Sequence, residues 1–262
     1  MTHFSDAVSG ILGWICIATW VVVYSPQIYE NFTLKSGEGL SIAFVVIWLA
    51  GDLCNLIGAS TAGLLPTVII LAGYYTLCDT ILLTQIYYYR WLNKGTQARR
   101  EIEGDGEVTP LFTSSNNVQE TEKERSLKRH VLGYIGWIHC LVVAGIVAWA
   151  VSKKVQGVDA ERPEEIVEWK SQLMGYASAM LYLGARIPQI LKNFETGCHG
   201  LSPGLFVFTI MGNLTYALSI CMSSMERDHL IVNASWLAGS LLTILLDLIV
   251  LGQFVYYRGK GK

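Results

Sequence analysis

Long stretches of the chain carry no charged residue. None lies between Asp6 and Glu30 or between Asp52 and Asp79, whereas charges of both signs crowd the segment 91–129. Uncharged apolar stretches of about 18 residues or more are typical of helices that span a bilayer. The pattern predicts seven such helices, at about 7–27, 40–60, 66–89, 131–152, 171–191, 203–224 and 231–256. We therefore expect an all-α integral membrane protein.

The composition supports this fold class. Of the 262 residues, 52 % are hydrophobic and 15 % are charged, whereas soluble domains carry about 25 % charged residues. These values argue against a soluble enzyme, a nucleic-acid-binding protein and a disordered chain. Five of the six cysteines lie inside the apolar stretches, where thiols act as small hydrophobic side chains, so we expect no structural disulfide.

The positions of lysine and arginine predict the orientation, because basic loops remain cytosolic. With the N-terminus in a lumen, thirteen of these residues fall in cytosolic segments, five fall in luminal ones, and Arg186 lies inside the fifth helix. The C-terminus is then cytosolic. The polar segment 91–130 contains Gly104, Gly106 and Pro110, and we expect a flexible cytosolic linker there.

An internal repeat organises the chain. The heptapeptide Pro-Gln-Ile-Tyr-Glu-Asn-Phe at 26–32 recurs as Pro-Gln-Ile-Leu-Lys-Asn-Phe at 188–194, an offset of 162, and Gly-Leu-Ser at 39–41 recurs at 200–202. Further matches in the same order pair Gly51-Asp52-Leu53 with Gly212-Asn213-Leu214, and Asp79, Gln85 and 88–90 with Asp247, Gln253 and 256–258. Four ordered matches indicate a duplication.

Each copy of the repeat spans three predicted helices, at 1–90 and at 153–262. The extra helix at 131–152 lets the second copy start in the same direction as the first, which gives a 3+1+3 arrangement of parallel triplets. Parallel repeats related by an axis along the membrane normal are a transporter architecture, with the substrate near the midplane.

The doubled Pro-Gln motif followed by Gly-Leu-Ser resembles the PQ-loop transporters over nearly the whole chain. Within that family, Gly-Asp-Leu-Cys-Asn-Leu-Ile-Gly at 51–58 and Tyr-Tyr-Thr-Leu-Cys-Asp at 74–79 are similar to the lysosomal and vacuolar cationic amino acid exporters. The resemblance implies export of arginine, lysine and histidine from that lumen to the cytosol by alternating access. Cystine transporters, sugar carriers and the endoplasmic retrieval-signal receptor share the architecture, so the fold alone does not settle the substrate.

The two Pro-Gln motifs lie near the cytosolic ends of the first and fifth predicted helices. Proline removes a backbone hydrogen bond and weakens or kinks a helix, and the following glutamine amide can bond the carbonyl that is freed. We predict a matched pair of hinges formed by Pro26, Gln27, Pro188 and Gln189. A static kink is the alternative, since proline is common in membrane helices.

Three aspartates lie inside predicted helices. An intramembrane carboxylate costs roughly 2.5–3.5 kcal/mol on insertion scales and usually lines a substrate or ion path. We expect repeat-related Asp79 and Asp247 to face each other, and we hypothesise that one of them carries a proton while Asp52 binds the substrate amine. The remaining polar residues expected around this cavity are Asn55, Asn213 and Tyr216.

Arg186 is the one basic residue well inside a predicted helix. Two roles are open for it, an ion pair with one aspartate or a contact with the carboxylate of an amino acid. The sequence contains no closely spaced Cys/His group, nucleotide loop or nucleophile motif, so we expect no metal, no cofactor, no nucleic-acid partner and no enzymatic activity.

Two other functions stay open at this point. One is an amino-acid-sensing receptor or scaffold in which the segment 91–130 recruits a cytosolic partner. The other is a carrier of cystine or sugar, although acids in the cavity argue against a neutral sugar. Whether transport is proton-coupled or facilitative is also open.

Overall fold

The structure is a computed structural model that describes residues 2–61, 66–103, 116–156 and 169–260. Within these ranges the chain is helical and contains no strand. The helices are α1 (Thr2–Val22), α2 (Ser25–Leu34), α3 (Ile42–Thr61), α4 (Pro66–Glu103), α5 (Asn116–Gln156), α6 (Trp169–Thr196), α7 (Pro203–Ser223), α8 (Arg227–Val232) and α9 (Ala234–Gly259). The expected all-α class is confirmed for this part of the chain.

Several helices are long and apolar enough to cross a bilayer. The five stretches that meet this condition in the described ranges are Phe4–Leu34, Ile69–Lys94, Leu132–Lys154, Pro203–Ser223 and Ala234–Gly259. A shorter apolar helix covers Ile42–Ile57. The predicted helix at 171–191 is present as α6, but α6 is not among the five apolar stretches.

Helix extends into both ends of the segment 91–130, where we expected a flexible linker. Helix α4 continues to Glu103, and α5 begins at Asn116. Residues 94–103 are rich in lysine, arginine, glutamine and glutamate, which favour helix and prolong an apolar span into water. Residues 104–115 of the expected linker lie outside the described part of the chain.

The two repeat-related prolines have different local structures. Helix α1 ends at Val22, and α2 begins at Ser25 with Pro26 in its first turn, where no backbone N–H is required. Pro188 lies inside α6, which runs without a break from Trp169 to Thr196. The equal hinges expected from sequence therefore correspond to a helix break in one repeat and a proline within a continuous helix in the other.

The packing of the helices follows the sequence repeat. In the first repeat α1 and α2, α3 and α4 correspond to α6, α7 and α9 of the second. The contact between α1 and α7 corresponds to the contact between α6 and α3. The contact between α3 and α4 corresponds to the one between α7 and α9. The contact between α2 and α4 corresponds to the one between α6 and α9. Helix α5 lies outside this scheme and packs against α1.

An apolar core fills the half of the bundle that contains the two Pro-Gln motifs. It is built from fully buried side chains that follow the α1 break and the starts of α3 and α7, among them Val23, Leu40, Phe44, Leu205 and Phe206. We call this region the closed half.

Candidate functional site: a cavity and the contact between repeats

A cavity of about 770 Å³ occupies the half of the bundle opposite the closed half. Its walls come from most of α1, the N-terminal parts of α4 and α9, the middle of α6, the middle and C-terminal parts of α3 and α7, and the C-terminal end of α5. Small-molecule sites typically have about 300–1,000 Å³, aromatic walls and a few polar groups. Large aromatic side chains on these walls are Trp14, Trp20, Tyr24, Trp48, Tyr75, Tyr182, Tyr216 and Trp236.

Asp52 lies on the cavity wall and is held by two tyrosines from different repeats. The Tyr182 hydroxyl donates to Oδ1 at 2.7 Å, and the Tyr24 hydroxyl donates to Oδ2 at 3.1 Å. Asn55 Nδ2 donates to the Tyr182 hydroxyl at 2.6 Å, and the Ser178 hydroxyl donates to the Asn55 carbonyl oxygen at 3.4 Å. A carboxylate offers about four acceptor positions, so Asp52 retains acceptor capacity for a ligand cation.

Asp79 lies behind Asp52 and does not line the cavity. Its side chain is fully buried, and neither carboxylate oxygen has a hydrogen-bond partner among the described residues. The Asp79 and Asp52 side chains are neighbours within the bundle. This is the one carboxylate of the three predicted acids with no hydrogen bond from the residues that the structure describes.

Arg186 and Asp247 form a fully buried ion pair. Arg186 Nε donates to Asp247 Oδ1 at 3.0 Å, and the Thr209 hydroxyl donates to Oδ2 at 2.7 Å. Arg186 Nη1 donates to the Tyr182 backbone oxygen at 3.0 Å, and the guanidinium lies 4.8 Å from the centre of the Trp48 ring. Of the two roles considered for Arg186, the ion pair is present, and Arg186 also lines the cavity.

The cavity gathers most of the predicted polar residues but not all of them. Those on its walls are Asp52, Asn55, Arg186, Asn213 and Tyr216. Asp79 and Asp247 are not on the walls, so the expected cavity with three carboxylates is corrected to one with Asp52 alone. The repeat pattern predicted which helix faces the two acids share, but the depth of each side chain depends on neighbouring helices. Asp247 is enclosed by α6 and α7.

Two site residues were missed by the sequence analysis, Tyr24 and Tyr182. Tyr182 lies four residues before Arg186, which places the two on one helical face, and this spacing was an available signal. Tyr24 lies 162 residues before Arg186, so it occupies the matching position of the first repeat.

In the closed half, Gln27 of the first repeat bonds the Gly-Leu-Ser turn of the second. Its Nε2 donates to the Gly200 backbone oxygen at 3.1 Å, and its Oε1 accepts from the Ser202 backbone N–H at 2.7 Å. The same Nε2 donates to Asn31 Oδ1 at 2.8 Å. Ser202 is the N-cap of α7, and the first N–H groups of a helix have no partner within the helix.

Gln189 of the second repeat makes the same bonds to the first. Its Nε2 donates to the Gly39 backbone oxygen at 3.1 Å and to Asn193 Oδ1 at 2.8 Å, and its Oε1 accepts from the Ser41 backbone N–H at 2.7 Å. We call this symmetric set the inter-repeat clasp, formed by Gln27, Asn31, Gly39, Ser41, Gln189, Asn193, Gly200 and Ser202.

A second layer ties the inter-repeat clasp to the third helix of each repeat. Asn31 Nδ2 donates to Gln85 Oε1 at 3.1 Å, and Asn193 Nδ2 donates to Gln253 Oε1 at 2.9 Å. The clasp corrects the expectation that the glutamines bond carbonyls freed by the neighbouring prolines. They bond the opposite repeat instead, because its Gly-Leu-Ser turn presents an N–H and a C=O side by side.

The fold and the site define a class of protein: a helical membrane protein in which two similar repeats enclose a cavity with a few buried polar side chains on its walls. The family model described as the PQ loop repeat matches residues 8–68 and 171–226, which cover α1 to α3 and α6 to α7. The chain belongs to the PQ-loop family, which confirms the resemblance found in the sequence.

Relatives of this chain are known from yeast and animals. It is 37 % identical over 294 residues to the vacuolar lysine transporter YPQ1 of Saccharomyces cerevisiae, covering 98 % of this chain and 96 % of that protein. It is 35 % identical to the vacuolar histidine transporter YPQ3 of the same yeast, covering 95 % and 92 %. It is 30 % identical to the lysosomal amino acid transporter 1 homolog of Gallus gallus, covering 97 % and 82 %.

Proposed function

We propose that this protein exports the basic amino acids lysine, arginine and histidine from the lumen of a vacuole or lysosome to the cytosol. The observation that carries the proposal is the cavity in which Asp52 is the one carboxylate on the described walls. Near-full-length similarity to transporters named for vacuolar lysine and vacuolar histidine supports the same substrate class and membrane.

The proposed topology has seven spans in a 3+1+3 arrangement, with α1 and α2 forming the first span and α5 the linking one. The N-terminus is luminal and the C-terminus cytosolic, as the distribution of lysine and arginine favours. In this orientation the cavity belongs to the luminal half, and the inter-repeat clasp lies on the cytosolic side. The described conformation is then the luminal-facing one.

Alternating access requires the inter-repeat clasp to open. Four hydrogen bonds join the repeats through Gln27 and Gln189. At about 0.5–1.5 kcal/mol net for each bond, the clasp contributes roughly 2–6 kcal/mol, which suits two conformations separated by a few kcal/mol. The repeats would rock at the helix break before Pro26 and at Pro188 within α6.

In this mechanism Asp52 binds an ammonium or guanidinium group of the substrate, and Asp79 is the proton-carrying group if transport is proton-coupled. Asp247 is a poorer candidate than Asp79 because Arg186 and Thr209 already bond both of its oxygens. Arg186 lines the same cavity and can contribute to binding the substrate's carboxylate.

Lysine uptake into liposomes that contain the purified protein tests this function. We expect saturable uptake of labelled lysine that excess arginine or histidine reduces, while excess leucine, cystine or glucose leaves it unchanged. Competition by cystine or glucose would instead favour another solute. Folded protein that binds lysine without moving it would favour a receptor, and deletion of residues 104–115 would then abolish recruitment of a cytosolic partner.

A further inference from the structure

Equivalent acids of the two repeats have different hydrogen-bond partners. Position 24 plus the offset of 162 is position 186, so Tyr24 of the first repeat corresponds to Arg186 of the second. Asp79 corresponds in the same way to Asp247, at the offset of 168. Arg186 bonds its acid directly at 3.0 Å, whereas the Tyr24 hydroxyl donates to Asp52 and leaves Asp79 without a hydrogen bond from the described residues.

The charges around the cavity do not balance. Asp52, Asp79, Asp247 and Arg186 are each at most 3 % exposed, so three acids share one base. The hydrogen bonds of that base go to Asp247 and to the backbone oxygen of Tyr182. Buried charge without a partner is costly, and a buried acid without a counterion takes up a proton instead. A cation beside Asp52 and Asp79 would take the place of that proton and supply the positive charge that the described protein residues do not.

We propose that the side-chain cation of the substrate is the base that the first repeat lacks. The substrate cation binds next to Asp52, and Asp79 lies behind Asp52. The cation then neutralises this acid pair in the way that Arg186 neutralises Asp247. This inference rests on the proposed function and adds the substrate group that is recognised. It also assigns selectivity for cations to Tyr24, because a neutral phenol at this position keeps the acid pair free for the substrate.

Aromatic rings support a cation at this place. The Arg186 guanidinium lies over the Trp48 ring, and such stacking favours a desolvated cation. On the first repeat's side, Trp20 and Tyr75 line the cavity with their ring centres 6.1 Å apart. A substrate cation beside Asp52 would therefore have both carboxylate and aromatic partners, as Arg186 has.

Replacing the Tyr24 phenol with a positively charged side chain tests the inference. Tyr24→Arg supplies the first repeat with its own base, and Tyr24→Met removes the same hydroxyl without adding charge. We expect lysine binding by the purified full-length protein to be about tenfold or more weaker in Tyr24→Arg than in Tyr24→Met, with the unfolding temperature of Tyr24→Arg equal or higher. Equal lysine affinities in the two folded variants would overturn the inference.

A second variant decides the matter if Tyr24→Arg does not fold. Asp79→Asn keeps the shape of the side chain and removes the charge behind Asp52. We expect the ratio of lysine affinity to norleucine affinity to fall by about tenfold or more, because norleucine has the same length without the side-chain charge. An unchanged ratio would overturn the inference, whereas wild-type protein that binds no basic amino acid would overturn the proposed function itself.

Discussion

Gly39 and Gly200 meet backbone to backbone in the closed half, although 161 residues separate them in the chain. A Cβ atom at Gly39 would overlap the backbone carbonyl group of Gly200. Gly200 has a φ of +71°, a conformation that favours glycine. The two Gly-Leu-Ser turns thus touch, and each is hydrogen-bonded to a glutamine of the opposite repeat.

Alanine at Gly39 should therefore destabilise the protein strongly. The overlap involves backbone that rotamer changes cannot relieve, so we expect a loss of about 3 kcal/mol or more, the upper range for an overpacked position. Thermal unfolding in detergent measures the effect. Gly252→Ala is the matched control, because a Cβ atom there meets no other atom within 4 Å, and an unfolding temperature equally low in both variants would contradict the close contact.

The inter-repeat clasp is symmetric, so removing either glutamine should have the same effect. Gln27→Ala and Gln189→Ala each break two bonds between the repeats, and we expect both to shift the protein toward its cytosol-open conformation. Cys198 reports the change, because it is 4 % exposed in the turn between α6 and Gly200. In protein with its other cysteines replaced by alanine, we expect several-fold faster alkylation of Cys198 in both variants. Wild-type rates in both would contradict the assignment of the clasp as a gate.

The chemistry of Cys198 gives a pH-dependent check on the closed state. Burial raises the pKa of the Cys198 thiol to about 11, and the thiolate is the reactive form. The thiolate fraction is therefore small at neutral pH and grows with pH. In protein with its other cysteines replaced by alanine, we expect the rate of reaction with iodoacetamide to rise about tenfold from pH 9 to pH 10, where an exposed thiol with a pKa near 8.5 would already level off. A plateau above pH 9 would show that Cys198 is exposed.

The repeat was visible in the sequence, and the contact it makes was not. Offsets of 161 and 162 revealed that the Pro-Gln and Gly-Leu-Ser motifs are paired, but an offset does not tell whether a motif bonds within its own repeat or across. The bonds cross because the side chain of Gln27 reaches the N-cap of α7, and that of Gln189 reaches Ser41 just before α3. Tertiary contact of this kind has no local sequence signal.

The sequence predicted which acids lie inside membrane helices, but it did not predict which of them reaches the cavity. Asp52, Asp79 and Asp247 were recognised as functional candidates because charge is rare in apolar helices. Which of them reaches the cavity depends on packing between helices. Asp247 is covered because Arg186, which the sequence left with two possible roles, approaches it from α6.

The Arg186–Asp247 pair should show strong coupling when its members are replaced. Arg186→Met leaves a buried carboxylate without its base, and we expect a loss of about 3–5 kcal/mol of stability. Asp247→Asn should be destabilising for the matching reason, since it leaves the guanidinium unpaired. The double variant should be more stable than the sum of the single losses implies. A double-mutant cycle by thermal unfolding measures this coupling, and additive losses would contradict a direct ion pair.

Lysine uptake by Asp52→Asn in liposomes is the most direct test of the proposed transport site. The substitution keeps the shape of the side chain and removes the one carboxylate on the described cavity walls, so we expect uptake to fall about tenfold or more at low lysine concentration. Glu195→Gln removes an exposed carboxylate outside the cavity and should transport as the wild type does. Loss of lysine uptake in Asp52→Asn, with an unchanged unfolding temperature, is the result that we expect. Wild-type uptake by folded Asp52→Asn would contradict the assignment of this cavity as the path for basic amino acids.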